Sequence, residues 1–261
     1  MNNQSKLGQN FLIDSKIVDK ITELSRIGRH EVVYEVGTGK GVLTKELCRI
    51  AKFVYSFELD SKLYDQSKEH LRFKNLKLSN SDGLDRNFII DFDVFLSSLP
   101  YYESRRALSW LCQKQFKRAI ILLQREFVEK LLSKPGNSNY RAITVFSQYR
   151  FSISILLDVP SSSFSPKPKV DSLLIELCPK TPPLSLQLMR DIQSLFSFRK
   201  KTVSFVLNYF KKHYSCDFDT SDLIDIESNR IAQLSPTQIL HLNKSLKNNL
   251  YSKNPYRNIP N

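Results

Sequence analysis

Short runs of β-branched and aromatic residues alternate with longer amphipathic stretches through the first two thirds of the chain. In the longer stretches apolar residues recur at helical spacing, as Ile17, Ile21 and Leu24 do. Strands that alternate with helices form a mostly parallel sheet with helices on both faces. The pattern therefore predicts an α/β domain. Its predicted strands are Glu31–Val36, Phe53–Phe57, Leu76–Ser79, Asp93–Leu96, Arg118–Leu123, Phe151–Leu157 and Leu173–Leu177.

Helices are predicted between these strands, and Asp14 and Ser61 are polar residues suited to cap two of them. The last two strands are joined by a proline-rich segment with no helical pattern. Parallel neighbours normally need a helical crossover, so we expect an antiparallel end to the sheet. The predicted helices of this part are Asp14–Ile27, Val42–Ala51, Ser61–Phe73 and Ser104–Gln115.

A domain boundary is predicted near Pro179–Pro183, where prolines interrupt the strand and helix pattern. We expect one domain over residues 1–180 and a small helical domain over residues 181–261. Asp217–Glu227 is acidic and predicted to be rich in turns, and the polar tail Asn248–Asn261 is predicted to fray. The predicted helices of the second domain are Ser185–Phe198, Lys200–Phe210 and Pro236–Leu246.

The 261-residue chain carries a formal net charge of +13. Residues 99–150 hold over half of it, with ten basic and three acidic side chains. An excess of this size fits a polyanionic partner, because lysine and arginine release counterions from phosphates. A basic protein with no nucleic-acid partner remains the alternative at this point.

The cysteines lack the spacing of a metal site or a disulfide framework, and no run of apolar residues is long enough to cross a bilayer. The amino-terminal residues do not form a secretory or mitochondrial leader pattern. We therefore expect a cytoplasmic protein without a bound metal and without a membrane partner, and a monomer by default. The four cysteines are Cys48, Cys112, Cys178 and Cys216.

A glycine-rich turn, Glu35–Gly41, follows the first predicted strand and precedes a helix. Glycines there let the backbone approach a ligand closely. Glu58 lies at the end of the second strand, 21 residues after Gly37, where a carboxylate can accept both hydroxyls of a ribose. Together they indicate a cofactor that contains a nucleoside.

Polar and aromatic residues also end the third and fourth strands. Asp82 could accept a hydrogen bond from an adenine amino group, or it could simply be a turn aspartate. The segment Ser97–Tyr101 offers a hydroxyl, backbone carbonyls and an aromatic ring. Acceptors on the N–H groups of an adenine amine would aim its lone pair, and the ring could stack on an extruded base. An ordinary X-Pro turn with a core tyrosine is the alternative.

These motifs, in this order, resemble the KsgA-type ribosomal RNA adenine dimethyltransferase family. The resemblance extends over nearly the whole chain. The further segments that carry it are Leu7–Leu12, Leu123–Glu126, Lys134–Gly136, Val159–Ser172, Phe198–Thr202 and Leu234–Pro236.

The resemblance implies a Rossmann-like class I methyltransferase domain, with an amino-terminal arm over the cofactor, followed by a helical domain. It implies S-adenosyl-L-methionine as cofactor and N6-dimethylation of two adjacent adenosines near the 3′ end of small-subunit rRNA, within ribosome biogenesis. Tyr101 would stack on the target adenine and Phe164 on its other face, with Ser98, Leu99 and Pro100 at the amine. The implied cofactor-binding residues are Asn10, Leu12, Gly37, Glu58, Asp82 and Ser98.

Basic residues beside the Ser98–Tyr101 loop and in the Val159–Ser172 segment would hold the rRNA backbone in place without reading its sequence. The candidate RNA-binding residues are Arg105, Arg106, Lys114, Lys117, Arg141, Lys167 and Lys169.

The chain departs from the family at Ser98, where asparagine is usual, and in the segment Tyr101–Arg106. A catalytically weak or inactive ribosome-assembly or RNA-binding factor is therefore the main alternative. The intact glycine loop and Glu58 favour a working cofactor site. An Erm-type methylase of large-subunit rRNA is a third possibility, which the match beyond Lys167 disfavours. A mitochondrial relative is disfavoured because the cofactor motif begins at Gln9.

Overall fold

The computed structural model describes residues 9–214 and 221–253. Contacts divide the chain into a first unit, Met1–Glu129 with Arg150–Pro183, and a second unit, Lys130–Tyr149 with Leu184–Asn261. The second unit thus includes a segment that the sequence pattern assigned to the first domain, and the later boundary falls at Pro183 instead of residue 180. Leu7 and Gly8, predicted to open the cofactor arm, lie outside the described residues.

A seven-stranded sheet in the order β4-β3-β2-β5-β6-β9-β7 forms the centre of the first unit. Its strands pair in parallel from β4 to β6, whereas β9 is antiparallel to both β6 and β7. The predicted antiparallel end of the sheet is thereby confirmed. The strands are β1 (Phe11–Leu12), β2 (Val32–Val36), β3 (Phe53–Glu58), β4 (Leu76–Asn80), β5 (Val94–Ser97), β6 (Arg118–Gln124), β7 (Phe151–Val159), β8 (Phe164–Ser165) and β9 (Ser172–Pro179).

The strand order reverses between β2 and β5, because the chain moves outward to β4 and then returns to the other side of β2. At such a reversal the loops leaving neighbouring strands diverge and leave a crevice at the carboxyl ends. This topology determines where a ligand can bind. The pair β1 and β8 forms a separate two-stranded antiparallel sheet.

The first four helices of the chain begin within one residue of the positions that the sequence pattern predicts, whereas the fifth was not predicted. Asp14 caps α1 as expected, and its carboxylate accepts the N–H groups of Lys16 and Ile17. The cap of α3 is Asp60 and not Ser61, because Asp60 takes an extended conformation and accepts two helical N–H groups. The helices are α1 (Ser15–Ser25), α2 (Val42–Ile50), α3 (Ser61–His70), α4 (Ser104–Leu111) and α5 (Arg125–Leu131).

Apolar side chains fill both faces of the sheet. Val33, Val54 and Val94 are fully buried on one face, in a cluster that includes residues of α1 and α2. On the other face Tyr34 stacks on Phe57, with ring centroids 4.6 Å apart. The Tyr34 hydroxyl donates to the carbonyl of Gly83 at 2.8 Å, which fixes the loop after β4 to the centre of the sheet.

In the second unit, the segment before α6 is held by hydrogen bonds to the carboxyl-terminal part of the chain. The Gly136 N–H donates to the Ala232 carbonyl at 2.7 Å, and the buried Tyr140 hydroxyl donates to the Leu234 carbonyl at 3.0 Å. These bonds explain why residues 130–149 belong to this unit. Its helices are α6 (Ala142–Arg150), α7 (Leu186–Leu195), α8 (Val203–Tyr214) and α9 (Pro236–Lys253).

The predicted polar tail turns out differently where it is described, because α9 continues to Lys253 instead of ending at Leu246. The described part of the predicted acidic turn segment agrees with the prediction, since 3-10 turns cover Ser221–Ile226. Residues 215–220 and 254–261, which hold the rest of the predicted acidic turn and of the polar tail, lie outside the described residues. Among the described residues, no helix has the length and apolar character that a bilayer crossing requires.

Candidate active site

The glycine-rich turn after β2 forms the floor of a cleft at the carboxyl edge of the sheet. Gly37, Gly39 and Gly41 have φ angles of 88°, 57° and 74°, which side chains disfavour. The Gly37 N–H donates to the Phe57 carbonyl at 2.9 Å, so the turn is tied to β3. A Cβ atom at Gly37 would meet the Leu99 side chain at 3.3 Å, which shows how closely the two loops approach.

Glu58 ends β3 with both carboxylate oxygens oriented by the backbone. One oxygen accepts the Gly39 N–H at 2.8 Å and the other accepts the Asp60 N–H at 2.9 Å. Burial raises the pKa of the Glu58 carboxyl, and these two donors oppose the rise. Each oxygen keeps a lone pair for a further donor, as recognition of ribose hydroxyls requires.

Glu35 lies under the glycine loop, fully enclosed, and supports it. Its carboxylate accepts the hydroxyls of Thr44 at 2.7 Å and Ser56 at 2.6 Å. The Ser56 hydroxyl also lies 2.6 Å from that of Thr38, inside the glycine loop. Burial raises the pKa of Glu35 to about 7, although the two hydroxyl hydrogen bonds favour the charged carboxylate and oppose this rise. The group is therefore a structural acid beneath the site.

Asp82 lies in the loop after β4 and reaches the same cleft. One carboxylate oxygen accepts the Leu84 N–H at 3.0 Å, and the other forms an ion pair with Arg106. The neighbouring Gly83 packs so tightly that a Cβ there would meet Phe57 and Val36 within 3.0 Å. The position of Asp82 is thus determined by packing as well as by hydrogen bonds.

Ser98, Leu99 and Pro100 form the wall opposite Glu58, directly after β5. Ser98 also lines a smaller neighbouring cavity with Asn10, Leu12 and Lys40, so it stands where the two cavities meet. Among the described residues its hydroxyl has no hydrogen-bond partner. The Pro100 carbonyl accepts the Glu103 N–H at 2.9 Å, whereas the Leu99 carbonyl accepts no hydrogen bond within the described part of the chain.

The two predicted stacking rings are not among the residues that line the cleft. Tyr101 is partly buried, and its hydroxyl lies 2.8 Å from that of Ser172. Phe164 is 4% exposed and packs in the apolar core, where β8 pairs it with Leu12. The exposed ring in the cleft is Tyr102, which is 59% exposed.

The amino-terminal arm covers part of the glycine loop. Phe11 lies 3.5 Å from the position that a Cβ at Gly39 would take, and the ammonium of Lys40 lies 5.2 Å from its ring centroid. Pairing of β1 with β8 holds the arm, and Leu12 points into the core. Asn10 lines both cavities.

The residues at the cleft fit S-adenosylmethionine: a glycine turn that a ligand can approach closely, Glu58 to accept hydrogen bonds from a ribose, and Asp82 to accept one from an adenine amine. The Ser81 hydroxyl is buried at the cleft and has no partner among the described residues, so it is available to a polar ligand. These residues therefore fit the cofactor that the sequence implies.

Comparison with known proteins identifies the family. A family model described as ribosomal RNA adenine dimethylase matches residues 1–248. The chain belongs to this family. Its members are methyltransferases that use S-adenosylmethionine, which confirms the predicted enzyme class and cofactor.

Individual relatives agree with the family assignment. The "probable ribosomal RNA small subunit methyltransferase A" of Thermococcus gammatolerans is 30% identical, over 97% of this chain and 93% of its own length. A crystal structure of a dimethyladenosine transferase from Plasmodium falciparum is 27% identical, with a TM-score of 0.77 over 89% of this chain and 95% of that one. The 23S rRNA methyltransferase ErmE shares the fold at 24% identity and a TM-score of 0.61, over 91% of this chain and 100% of its own.

The fold of this adenine dimethylase is the one predicted, a Rossmann-like methyltransferase domain with a carboxyl-terminal helical part. The structure brings Asn10, Gly37, Glu58, Asp82 and Ser98 to one cleft. Leu12 borders the adjoining smaller cavity. Which of these residues bind the cofactor stays a prediction.

The basic segment of the dimethylase does not form one patch beside the cleft. Lys117 precedes β6 at the opposite, amino edge of the sheet, and it pairs there with Asp93 at 3.0 Å. Lys114 lies close to it and donates to the Phe88 carbonyl at 3.1 Å, and burial lowers its pKa. Arg150 is fully buried. The two lysines lie away from the cleft because α4 begins at the cleft edge of the sheet and the chain runs back along it to the opposite edge.

The other candidate RNA-binding residues differ in their surroundings. Arg105 is exposed near the cleft, whereas Arg106 is held in the ion pair with Asp82. Lys167 and Lys169 are exposed in the loop after β8. Arg141 belongs to the second unit and donates to the Tyr140 carbonyl at 3.2 Å.

The sequence pattern did not indicate several residues that line the cleft. Leu59 is 63% exposed directly after Glu58, and an apolar residue between two acids at a strand end could have signalled an adenine contact. Gln9, Ser81, Leu84 and Tyr102 also line the cleft. No spacing rule indicates the pairing of Arg106 with Asp82, because the two are 24 positions apart.

Proposed function

We propose that this adenine dimethylase methylates N6 of adjacent adenosines near the 3′ end of small-subunit rRNA, as a step of ribosome biogenesis. The observation that carries the proposal is the placement of Ser98, Leu99 and Pro100 on the wall of the cleft that also holds Gly37, Glu58 and Asp82. This arrangement brings acceptors for an amine next to the cofactor residues. The name of the Thermococcus relative supports the small subunit as the source of the RNA.

S-adenosylmethionine supplies an electrophilic methyl group when it is bound. Glu58 accepts the ribose hydroxyls with its free lone pairs, and Asp82 accepts the adenine amino group of the cofactor. The Gly37–Gly41 turn leaves room for the rest of the cofactor, and Phe11 in the arm excludes water from the loop. Together these residues would hold and orient the cofactor beside the end of β5.

The target amine is a poor nucleophile because its lone pair is delocalised into the ring. The Ser98 hydroxyl and the Leu99 carbonyl accept its two N–H groups and aim the lone pair at the methyl group. Contacts that form only in this geometry lower the barrier. Tyr101 stacks on the base in this proposal once its ring turns from Ser172, and Phe164 supports the wall from the core.

The substrate RNA is tested with small ribosomal subunits that lack the modification. The protein and S-adenosylmethionine are incubated with these subunits, and in parallel with large subunits, and methyl groups are mapped by mass spectrometry of rRNA fragments. We expect dimethyladenosine in the 3′-terminal hairpin of the small-subunit rRNA only. Transfer to the large subunits instead would support an Erm-type substrate.

Absence of transfer to either subunit, with cofactor and subunit binding intact, would contradict the proposal and favour the assembly-factor alternative. A cytoplasmic location and a monomeric state accompany the proposal. Sedimentation of the protein alone and with small subunits measures the second of these directly.

A further inference from the structure

A second depression opens beside the cofactor cleft and shares a wall with it. The residues that line both are Asp82, Leu84, Tyr102 and Arg106. Beyond that wall the depression is lined by residues that include Arg86, Asn87 and Arg105. Part of this surface belongs to the segment directly after Tyr101.

The depression offers free positive charge and an exposed ring. Arg86 and Arg105 are exposed, and within the described part of the chain neither has an ion-pair partner. Asp85 is the acid that lines the depression beside Arg86, and its carboxylate accepts the Asn87 N–H at 2.9 Å. Tyr102 is 59% exposed at the shared wall.

Arg106, the neighbour of Arg105, has a different environment. Its guanidinium is paired with Asp82, and it also donates to Glu103 at 3.1 Å. The other oxygen of Asp82 accepts the Leu84 N–H at 3.0 Å. Asp82 is therefore held from both sides, and one lone pair on each oxygen stays free for a ligand.

We propose that Arg86, Tyr102 and Arg105 form a docking site for a nucleotide next to the methylated adenosine, whereas Arg106 positions Asp82 for the cofactor. Two neighbouring arginines of α4 thus serve two ligands on opposite sides of one wall.

The occupant is single-stranded RNA, for three reasons. Guanidinium groups without acidic partners bind phosphates, and an exposed tyrosine face stacks on a base. The depression adjoins the cleft that holds the Ser98–Pro100 acceptors, so a nucleotide there is close enough to be covalently linked to the target. The inference rests on the proposed function for the identity of this target.

The test measures two affinities of the full chain separately. Binding of S-adenosylmethionine is measured by calorimetry without RNA. Binding of fluorescein-labelled hexa-adenylate RNA is measured by anisotropy across a salt series. The variants are Arg105→Gln, Arg86→Gln, Arg106→Gln, Arg106→Lys and Tyr102→Ala. Arg29→Gln, an exposed arginine in the loop before β2, is the charge-matched control.

We expect R105Q and R86Q each to weaken RNA binding about 3- to 10-fold and to reduce the slope of log K against log salt by about 0.7. Y102A weakens RNA binding at least ~5-fold through lost stacking, with the slope unchanged. Cofactor affinity stays within about twofold in R105Q and R86Q, whose side chains are not among those that line the cofactor cleft.

R106Q has the opposite profile. Its cofactor Kd rises about tenfold because Asp82 loses one of the two groups that orient it, and its RNA salt slope is unchanged. R106K recovers part of the lost cofactor affinity, because lysine keeps the positive charge. The recovery is incomplete, since an ammonium cannot contact Asp82 and Glu103 together as the guanidinium does. A merely structural defect would not be rescued by lysine.

The inference would be overturned if R106Q reduced the salt dependence of RNA binding and left the cofactor affinity unchanged. It would also be overturned if R105Q bound RNA with the same affinity as R29Q. The proposed function is tested independently of this inference. Subunits that receive no methyl groups would refute the proposed function, whereas weaker RNA binding in R105Q and weaker cofactor binding in R106Q would still support the inference.

Discussion

At the residue scale, Ser98 is the side chain to which the proposed mechanism assigns the acceptor for the target amine. It lines both cavities at the end of β5, and its hydroxyl is unpaired within the described residues. A serine oxygen can accept one N–H bond, but the side chain is shorter than the asparagine that the sequence resemblance implies here, and it rotates freely. The proposed mechanism therefore uses a less rigid acceptor.

We predict that Ser98→Ala lowers kcat about 10- to 100-fold, because one transition-state contact disappears. Ser98→Asn keeps or raises kcat several-fold, since it provides a fixed carbonyl. Single-turnover methyl transfer to small subunits measures both rates. Cofactor Kd serves as the control and should change little. An S98A enzyme with unchanged turnover would remove the hydroxyl from the mechanism.

A second single residue, Glu35, affects how the folding stability depends on pH. Its pKa of about 7 lies above the ordinary value of 4.5, because the carboxyl is buried. The native state thus binds the proton more tightly than the unfolded chain does, and the stability that this provides is full below pH 4.5 and is lost as the pH rises through 7.

We predict that Glu35→Gln removes this loss, because glutamine accepts the Thr44 and Ser56 hydroxyls without a charge. Between pH 4.5 and 7 the free energy of unfolding of the wild type should fall relative to the variant, by at most ~1.4 kcal/mol per pH unit. Urea unfolding at several pH values measures the difference. Parallel curves for the two proteins would show that Glu35 is not protonated in the native state.

At the scale of elements, Arg118 joins the helix and strands that meet at the amino edge of the sheet. Its guanidinium donates to the Ser25 carbonyl at the end of α1 and forms two bonds with Glu31, just before β2, at 2.9 and 2.8 Å. Both side chains of this pair are largely buried, at 14% and 13% exposed. The contact with Arg118 holds the pKa of Glu31 below its usual range.

We predict that Arg118→Met destabilises the protein by about 2–3 kcal/mol near pH 7, because it leaves Glu31 partly buried without its main partner. The lowered pKa provides stability above the unfolded value of 4.5, and this contribution is lost as the pH falls below it, so the difference should narrow in acid. Urea unfolding provides the measurement.

The control for this element is Arg49→Gln, which breaks the surface pair of Arg49 with Glu46 within α2. Exposed pairs of this kind contribute less than ~1 kcal/mol. If R49Q and R118M lowered the free energy of unfolding equally, the Arg118–Glu31 pair would contribute no more than a surface pair, and the prediction would be wrong.

At the scale of the whole molecule, all residues that line the cofactor cleft belong to the first unit. A ligand that binds only the folded form stabilises the unit that contains its site. The cofactor should therefore protect the sheet and its helices.

We predict that S-adenosylmethionine at 100 times its Kd increases the free energy of unfolding of the first unit by ~2.7 kcal/mol. The measurement is hydrogen exchange in β2, β3 and β5 with and without cofactor. Glu58→Gln should reduce the protection at the same cofactor concentration. Equal protection in both proteins would place the ribose elsewhere.

Local pattern in the sequence was sufficient for most of the architecture. The seven strands of the main sheet were predicted to within two residues at each end, because alternation and β-branched runs are properties of the segment itself. The Glu35–Gly41 turn and Glu58 were predicted for the same reason, since a strand end and a glycine turn define them. The helices α5 and α6 were not predicted, because α5 has only seven residues and the apolar residues of α6 show little helical periodicity.

Long-range contacts decided the rest. Sequence by itself determined the family, the sheet and the loops that carry the cofactor motifs, because each depends on residues close together in the chain. Only the tertiary structure separated Lys117 from the cleft, buried Arg150 and Phe164, and paired Arg106 with Asp82. The physical reason is that a side chain's partners depend on which elements pack together. Charge counted along a sequence therefore cannot show which arginines are free to meet a ligand.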